Sequence, residues 1–187
     1  MSQPHDVAVL VGSLRQNSFS RKMALTMASL APTEFKLSIV EIGGLPLYNE
    51  DLEKPQPPAP WAAFRQRVSA ADAVLFVTPE YNRSVPGALK NAIDVGSRPY
   101  GHSVYNHKPA AIVSVSPGAL GAFGANHHLR QSLVFLNMPT LQQPEAYIGG
   151  AAKLFDADGQ LANEDTKAFL QKFLSTFAAW VAGHRHG

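Results

Sequence analysis

Short apolar stretches alternate with longer segments of helical spacing along the whole chain. Four apolar runs have the length of strands, and they are VAVLVG (7–12), FKLSIVEI (35–42), AVLFVT (73–78) and AAIVSVS (110–116). The first and third are nearly continuous in apolar residues, which is typical of strands buried on both faces of a sheet. A fifth strand is predicted at TLQQPEAYI (140–148), where Pro144 interrupts the run and therefore favours a sheet edge.

Helical spacing of apolar positions fills the segments between these strands. Five segments show it, and they are 20–31, 58–71, 86–95, the region around 127–137, and 165–182. Strands and helices that alternate in this way predict a parallel sheet with right-handed crossovers and helices on both faces. The Pro-rich stretch 52–60 is too short to link two domains. We therefore expect residues 1–187 to form one domain, a flavodoxin-like or Rossmann-like three-layer sandwich.

Composition and charge remove several classes of function. The chain has no cysteine, so a thiolate nucleophile, a disulfide and a CxxC redox pair are excluded, and redox chemistry would need a bound cofactor. The formal net charge is +2 and the charges are scattered, so no basic patch typical of nucleic-acid or membrane binding stands out. No run approaches the roughly 18 apolar residues of a membrane span, and a cytoplasmic location is expected.

Three loops that follow predicted strands carry polar or small residues. Ligands of open parallel sheets bind beyond the carboxyl ends of the strands, which here are followed by GSLRQNSFS (12–20), PEYNRS (79–84) and SPGALGA (116–122). The first loop offers hydroxyls, the Arg15 guanidinium and a helix start, which are the donors that a phosphate needs. The same residues also fit a plain N-cap and a solvated charge. The loop lacks G-x-G-x-x-G and the P-loop pattern, so neither a Rossmann dinucleotide site nor a nucleotide triphosphatase is favoured.

The other two loops are suited to a flat ligand. Pro79 fixes its own φ and favours an extended Thr78, so the amides that follow would face outward in a set geometry and could meet a polar ring edge. Pro86, close to the start of the next helix, anchors the far end of that loop. In the third loop, small residues around Gly118 let the backbone approach a ligand closely, although a glycine turn after a strand is common.

These loops carry a resemblance to a known family. GSLRQNSFS, PEYNRSVPGALKNAID (79–94) and HLRQSLVFLN (128–137) follow one another as they do in the NADPH-dependent FMN reductases, and the chain looks similar to the bacterial quinone, chromate and azo-dye reductases of that family. The resemblance extends from residue 7 to about residue 155. It implies a flavodoxin-like fold, with a five-stranded parallel sheet of order 2-1-3-4-5 and helices on both faces.

The resemblance also implies a site for FMN. The first loop would hold the phosphate, and the other two would line the isoalloxazine and the ribityl chain. The cofactor-binding residues that it implies are Ser13, Arg15, Asn17, Ser18, Ser20, Pro79, Glu80, Tyr81, Asn82, Ser116 and Gly118. Ser20 stands where the family often has Asn. The backbone is expected to make most of the flavin contact, with Glu80 and Tyr81 serving ring stacking and subunit contact.

The activity that the resemblance implies needs no catalytic side chain. FMN would accept a hydride from NADPH or NADH, and a quinone or a similar small-molecule acceptor would be reduced by two electrons, with chromate and azo dyes as further acceptors. The resemblance also implies a homodimer or homotetramer in which the helix near 127–137 faces a sister subunit. Arg83 and Val95 stand where relatives often have an aromatic residue, and both are expected near the mouth of the pocket.

Two other functions share this architecture. An electron-carrier flavodoxin would shuttle single electrons without NAD(P)H turnover, but such carriers are usually acidic and have a Ser/Thr-Gly-rich phosphate loop, whereas this chain has a charge of +2 and GSLR. A receiver module needs an aspartate at the end of the third strand. This chain has Thr78 and Pro79 there, and Asp72 lies at the wrong end of that strand.

Two further groups of residues, aromatic and histidine, are not expected to bind a ligand. The last predicted helix carries aromatic residues at spacings typical of a core-facing stripe, and they are Phe169, Phe173, Phe177 and Trp180. No metal site is expected, because neither carboxylate nor cysteine lies at ligand spacing from the histidines that occur close together, His127 with His128 and His184 with His186.

Overall fold

A parallel sheet of five strands forms the centre of the fold. The computed structural model describes residues 3–184. The strands are β1 (His5–Val11), β2 (Phe35–Val40), β3 (Ala73–Thr78), β4 (Ala110–Val115) and β5 (Ala146–Ile148). They lie in the order β2-β1-β3-β4-β5, and every neighbouring pair is parallel. The predicted strand order 2-1-3-4-5 is therefore confirmed.

Helices cover both faces of this sheet. They are α1 (Phe19–Ser29), α2 (Ala59–Ser69), α3 (Gly87–Gly96), α4 (Phe123–Phe135) and α5 (Glu164–Gly183). The buried residues of α1 and α5 belong to the core on one face, and those of α2, α3 and α4 belong to the core on the other. Short 3-10 helices occupy two loops, at Glu50–Glu53 and Ala151–Lys153. The predicted three-layer arrangement is confirmed.

The apolar runs of the sequence coincide with strands that are buried on both sides. Val7 and Val9 of β1 pack in one core, while Leu10 packs in the other, because successive side chains of a strand point to opposite faces. Every residue of β3 and β4 is buried. The aromatic stripe of α5 is confirmed as well, since Phe173 and Phe177 are fully buried and their two aromatic neighbours are partly buried against the same core. Full burial of each such ring contributes roughly 2–3 kcal/mol.

Two elements differ from the sequence prediction. The fifth strand is confined to Ala146–Ile148, because Pro144 has no N–H to donate and regular pairing with β4 begins only beyond it. Before Pro144, Thr140 makes an isolated bridge to Ala110. The other difference is α4, which begins at Phe123 rather than near 127, about one helical turn earlier. The first turn of α4 is in contact with the loop after β3, through the bond from the Ala125 N–H to Glu80 Oε2.

The order of the strands decides which loops can meet. β1, β3 and β4 are adjacent and parallel, so the loops that follow them leave the sheet side by side at one end. These are the three loops in which the sequence predicts a site. Within residues 3–184, no helix combines the length and the apolar character that crossing a membrane requires.

Candidate functional site

The first and second loops lie close together where they leave the sheet. The Gly12 N–H donates to the Val77 carbonyl oxygen at 2.9 Å. A Cβ on Gly12 would lie 2.8 Å from Thr78 Oγ1 and 3.1 Å from Pro79 Cδ. Since real Cβ atoms are not found so close to an oxygen, only glycine lets the first loop pass the end of β3 at this distance.

The first loop ends at the N-terminus of α1, which Ser18 caps. The Ser18 backbone is extended, and its hydroxyl accepts the Arg21 N–H at 3.3 Å. The N–H groups of Phe19 and Ser20 have no acceptor within the helix, because no helical residue lies four positions before them. They therefore remain available to an anion at the positive end of the helix dipole.

The outer part of the first loop combines a buried hydroxyl with exposed donors. Ser13 is only 8% exposed, and its hydroxyl accepts the Arg15 N–H at 3.4 Å. Arg15 and Asn17 are exposed, and Ser13 and Arg15 help to line a cavity of about 580 Å³. Arg15 makes no ion pair with any residue in 3–184, whereas the Arg21 guanidinium binds Glu41 at two points, 2.7 and 3.2 Å. The first loop thus has one guanidinium that no described residue neutralises.

The second loop forms a tight hairpin. Tyr81 and Ser84 exchange two backbone hydrogen bonds of 3.1 and 2.9 Å. Asn82 and Arg83 between them have φ values of 50° and 63°, and a positive φ at both central residues is what a type I′ turn requires. Asparagine tolerates this conformation, but a longer side chain pays about 1 kcal/mol or more for it. The Glu80 and Asn82 amides have no acceptor among the described residues, so these two N–H groups are available to a ligand.

Glu80 connects the second loop to α4. Its side chain is 16% exposed, and Oε2 accepts the Ala125 N–H at 2.9 Å. Ala125 lies in the first turn of α4, whose N-cap residue, Ala122, has no side chain that could cap the helix. Glu80 therefore supplies the missing cap and places a negative charge at the positive end of the helix dipole. The carboxylate is engaged with the protein, which differs from the ring-stacking role expected from the sequence.

The third loop is packed tightly against the end of β5. The Ser116 hydroxyl donates to the Gly118 carbonyl at 3.1 Å, and that carbonyl also accepts the Gly150 N–H at 3.2 Å. Gly121 has a φ of 57°, and a Cβ there would lie 2.5 Å from the carbonyl carbon of Tyr147. The small residues in this loop are therefore needed for packing as well as for any approach to a ligand.

A buried polar network behind the third loop was not predicted from the sequence. The Ser114 hydroxyl donates to the Gly121 carbonyl at 2.7 Å, and Asn126 Nδ2 donates to Ser114 Oγ at 3.2 Å. Arg130 Nε in turn donates to Asn126 Oδ1 at 3.1 Å. Ser114 and Asn126 are fully buried, so these bonds satisfy groups that would otherwise be costly to bury. The signals in the sequence were a serine within an apolar strand and an asparagine on a buried helix face.

The two unusual residues named in the family resemblance are in different environments. Arg83 is at the exposed tip of the hairpin. Val95 belongs to α3 and is fully buried in the core between that helix and the sheet, and its carbonyl accepts a hydrogen bond from Arg65 Nε at 2.8 Å. The expectation that Val95 lies near the mouth of the pocket is therefore wrong, because the face of α3 that carries it packs inward.

The paired histidines make polar contacts with hydroxyl groups. His128 Nδ1 lies 2.9 Å from Ser84 Oγ, and His127 Nε2 lies 3.0 Å from the Tyr147 hydroxyl. Burial and a hydrogen bond with Glu145 raise the pKa of Tyr147 to about 12, so the phenol stays protonated at neutral pH. The tautomer of His127 decides which of the two side chains donates in their contact. No group of three His, Asp or Glu side chains within 3–184 is arranged to hold a metal ion. His186 lies outside the described residues.

The contact of Glu80 with α4 leads to a test of stability. Glu80→Ala leaves the Ala125 N–H without its acceptor and removes the charge, so we expect the free energy of unfolding to fall by about 1–2 kcal/mol. Glu80→Gln keeps an acceptor oxygen, and we expect a loss of about half that size. Urea denaturation followed by circular dichroism measures both. Glu34→Ala, which removes an exposed carboxylate from a loop, is the control, and equal stability of the two alanine variants would contradict the capping role.

The chain is similar to known proteins over nearly its whole length. A family model described as NADPH-dependent FMN reductase matches residues 5–153. A quinone reductase of Pseudomonas putida is 63% identical over 185 residues, which are 99% of this chain and 99% of that protein. A 2-hydroxy-1,4-benzoquinone reductase of Burkholderia sp. is 48% identical over 179 residues, 96% of this chain and 97% of that protein. The solved structure of FerB, a flavoenzyme NAD(P)H:(acceptor) oxidoreductase from Paracoccus denitrificans, has a TM-score of 0.90 at 41% identity, and the match covers 96% of this chain and 98% of that one.

Proposed function

The chain belongs to the NADPH-dependent FMN reductase family, and from this premise we propose that it is an FMN-dependent NAD(P)H oxidoreductase that reduces quinones by two electrons. The observation that carries the proposal is the meeting of three ligand-type loops at one end of the sheet. Gly12 against Thr78 and Glu80 against Ala125 hold these loops together. Quinones are proposed as acceptors because two similar proteins are named for quinone reduction.

The donor set of the first loop fits the phosphate of FMN. We assign the phosphate to Ser13, Arg15, Asn17 and Ser18, together with the amides at the start of α1. Ser20, buried in the first turn of that helix, completes the set. A phosphate dianion is favoured there by the helix dipole and by a guanidinium that has no carboxylate partner in the described part of the chain.

The second and third loops fit a flat ring. Pro79 and Tyr81 would line one side of it, with the Glu80 and Asn82 amides directed at its polar edge. Ser116 and Gly118 would form the opposite side, where small residues keep the backbone accessible. FMN, when bound, supplies hydride acceptance from NADPH or NADH and two-electron transfer to an acceptor. The protein itself binds and orients the ring, so no catalytic side chain is assigned.

We further propose that residues 1–187 form one FMN-binding domain that assembles as a homodimer or homotetramer through α4. Val134 and Phe135 near the end of α4 are 77% and 71% exposed, and exposed apolar side chains of this size favour association. Sedimentation equilibrium of the purified protein would give the number of copies, and a monomer at micromolar concentration would contradict this assembly.

The lack of cysteine is compatible with the reducing cytoplasm, where we propose that the protein acts.

Reconstitution with FMN tests the proposed activity. The holoprotein is expected to show flavin absorption and to oxidise NADPH or NADH in the presence of a quinone, with one quinone reduced per coenzyme consumed. Absorbance at the coenzyme and flavin bands follows both properties. A preparation that takes up no FMN would contradict the whole proposal. A holoprotein that binds FMN but does not oxidise either coenzyme would instead favour the electron-carrier alternative.

A further inference from the structure

The tip of the hairpin holds an arginine in a conformation that favours glycine. Arg83 is the second central residue of the turn, with a φ of 63°, and Asn-Gly is the sequence that a type I′ turn prefers. The tip is also fixed in place, since a Cβ on Gly124 of α4 would lie 2.9 Å from the Arg83 carbonyl oxygen. A strained residue at a rigid position beside a binding loop points to a use for its side chain.

The Arg83 guanidinium makes a long ion pair with Glu80 and is otherwise largely exposed. Its side chain is 77% exposed, and its ion-pair partner, Glu80 Oε1, lies 3.9 Å from Nη1, beyond hydrogen-bond distance. The other oxygen of Glu80 is bound to the Ala125 N–H. No hydrogen bond from the Arg83 side chain is found within residues 3–184. On α3, by contrast, Lys90 forms an ion pair with Asp94 at 2.8 Å.

We propose that Arg83 is a specificity residue that binds an anionic group of a substrate at the mouth of the flavin site. This inference rests on the proposed function, because the loop that contains Arg83 is the one assigned to the ring. A guanidinium binds phosphates and ionised oxygens through paired, charge-assisted hydrogen bonds. Two substrates of the proposed reaction can carry such a group. One is an acidic hydroxyquinone, and the other is the phosphate-bearing nicotinamide coenzyme.

Two variants separate the charge of Arg83 from the turn that it occupies. Arg83→Gly removes the charge and installs the residue that the turn prefers, so we expect the melting temperature to rise by about 2–4 °C. Arg83→Lys keeps the charge without the paired donors. Lys172→Ala, which removes an exposed cation from α5 on the other face of the sheet, is the control for net charge. A lower melting temperature for Arg83→Gly would show that the arginine stabilises the tip and would overturn the argument from strain.

Steady-state kinetics of the FMN-loaded protein then identifies the anion. The probes are 2-hydroxy-1,4-naphthoquinone, which is ionised at neutral pH, and 1,4-naphthoquinone, which is neutral. If the acceptor carries the anion, Arg83→Gly raises KM for the acidic quinone about tenfold and leaves KM for the neutral quinone within twofold, with Arg83→Lys between. If the coenzyme carries it, Arg83→Gly raises KM for NADPH, and both quinones keep their values. A KM within twofold of wild type for every substrate, an equal change for both quinones, or an equal effect of Lys172→Ala would overturn the proposal.

A binding measurement keeps this inference separate from the proposed activity. Flavin fluorescence of the FMN-loaded protein can be titrated with the acidic quinone and, separately, with NADP⁺, which carries the phosphates of NADPH but has no hydride to transfer, so neither titration involves turnover. A Kd that rises about tenfold in Arg83→Gly for one of the two ligands supports the anion contact even if the holoprotein fails to oxidise coenzyme. An unchanged Kd for both ligands would overturn the contact even if quinone reduction is found.

Discussion

Replacing Gly121 by alanine is expected to lower the free energy of unfolding by about 3 kcal/mol. Two costs add at this position. The φ of 57° is unfavourable for any residue with a Cβ, and the added atom would lie 2.5 Å from the carbonyl carbon of Tyr147 and 2.9 Å from the Ile148 nitrogen. Those atoms belong to the backbone of β5, which cannot retreat without losing its pairing with β4. The third loop would therefore move away from the sheet, and we also expect weaker FMN binding.

Urea denaturation of the apoprotein measures this loss, and a second glycine offers a matched control. A Cβ on Gly44 would meet nothing within 4 Å, and its φ lies outside the left-handed region. Gly44→Ala is therefore expected to change stability by less than about 0.5 kcal/mol. If Gly121→Ala were as stable as Gly44→Ala, the loop would have room that the structure does not show, and its proposed part in the site would lose its physical basis.

The fold could be predicted from the sequence because its central strands are buried on both faces. A continuous apolar run such as 73–78 has few alternatives when helical segments alternate with it, and the structure places a strand at the same residues. The sequence predictions were wrong where the bounds of an element depend on more than its own pattern of apolar residues. The sequence before α4 contains no capping residue at Ala122, because the cap comes from Glu80 in another loop. Residues 140–148 have the composition of a strand, but Pro144 limits the pairing to the last three of them.

The three loops of the site could be predicted from motifs and from the family that they resemble, whereas the contacts that hold them together could not. The approach of Gly12 to Thr78 and the bond between Glu80 and Ala125 join residues far apart in the chain. A single sequence contains no periodicity that pairs such positions. Val95 was wrongly expected near the mouth of the pocket because of its place in the motif. Only the packing of α3 shows that it is buried. Local chemistry was therefore readable from the sequence, but the mutual support of the loops required the structure.

Replacing Arg15 by alanine is expected to raise the Kd for FMN about 10- to 100-fold. The guanidinium is exposed beside the proposed phosphate site and makes no ion pair with any residue in 3–184. Its removal therefore costs the folded apoprotein little, and we expect its unfolding free energy to change by less than about 0.5 kcal/mol. Fluorescence titration of the apoprotein with FMN gives the Kd, and urea denaturation gives the stability.

Two controls test whether Arg15 acts on the phosphate of FMN, and they are riboflavin and the variant Arg21→Ala. Riboflavin has the same ring and no phosphate, so Arg15→Ala should leave its Kd within about twofold, because the lost interaction is with the phosphate alone. Arg21→Ala removes the same charge from the same region, but that guanidinium is already bound at two points to Glu41, and we expect it to weaken FMN binding much less. Equal losses for FMN and riboflavin, or for the two arginine variants, would mean that Arg15 supports the loop rather than binding the phosphate. The anion site would then rest on the Ser18 cap and the amides of α1 alone.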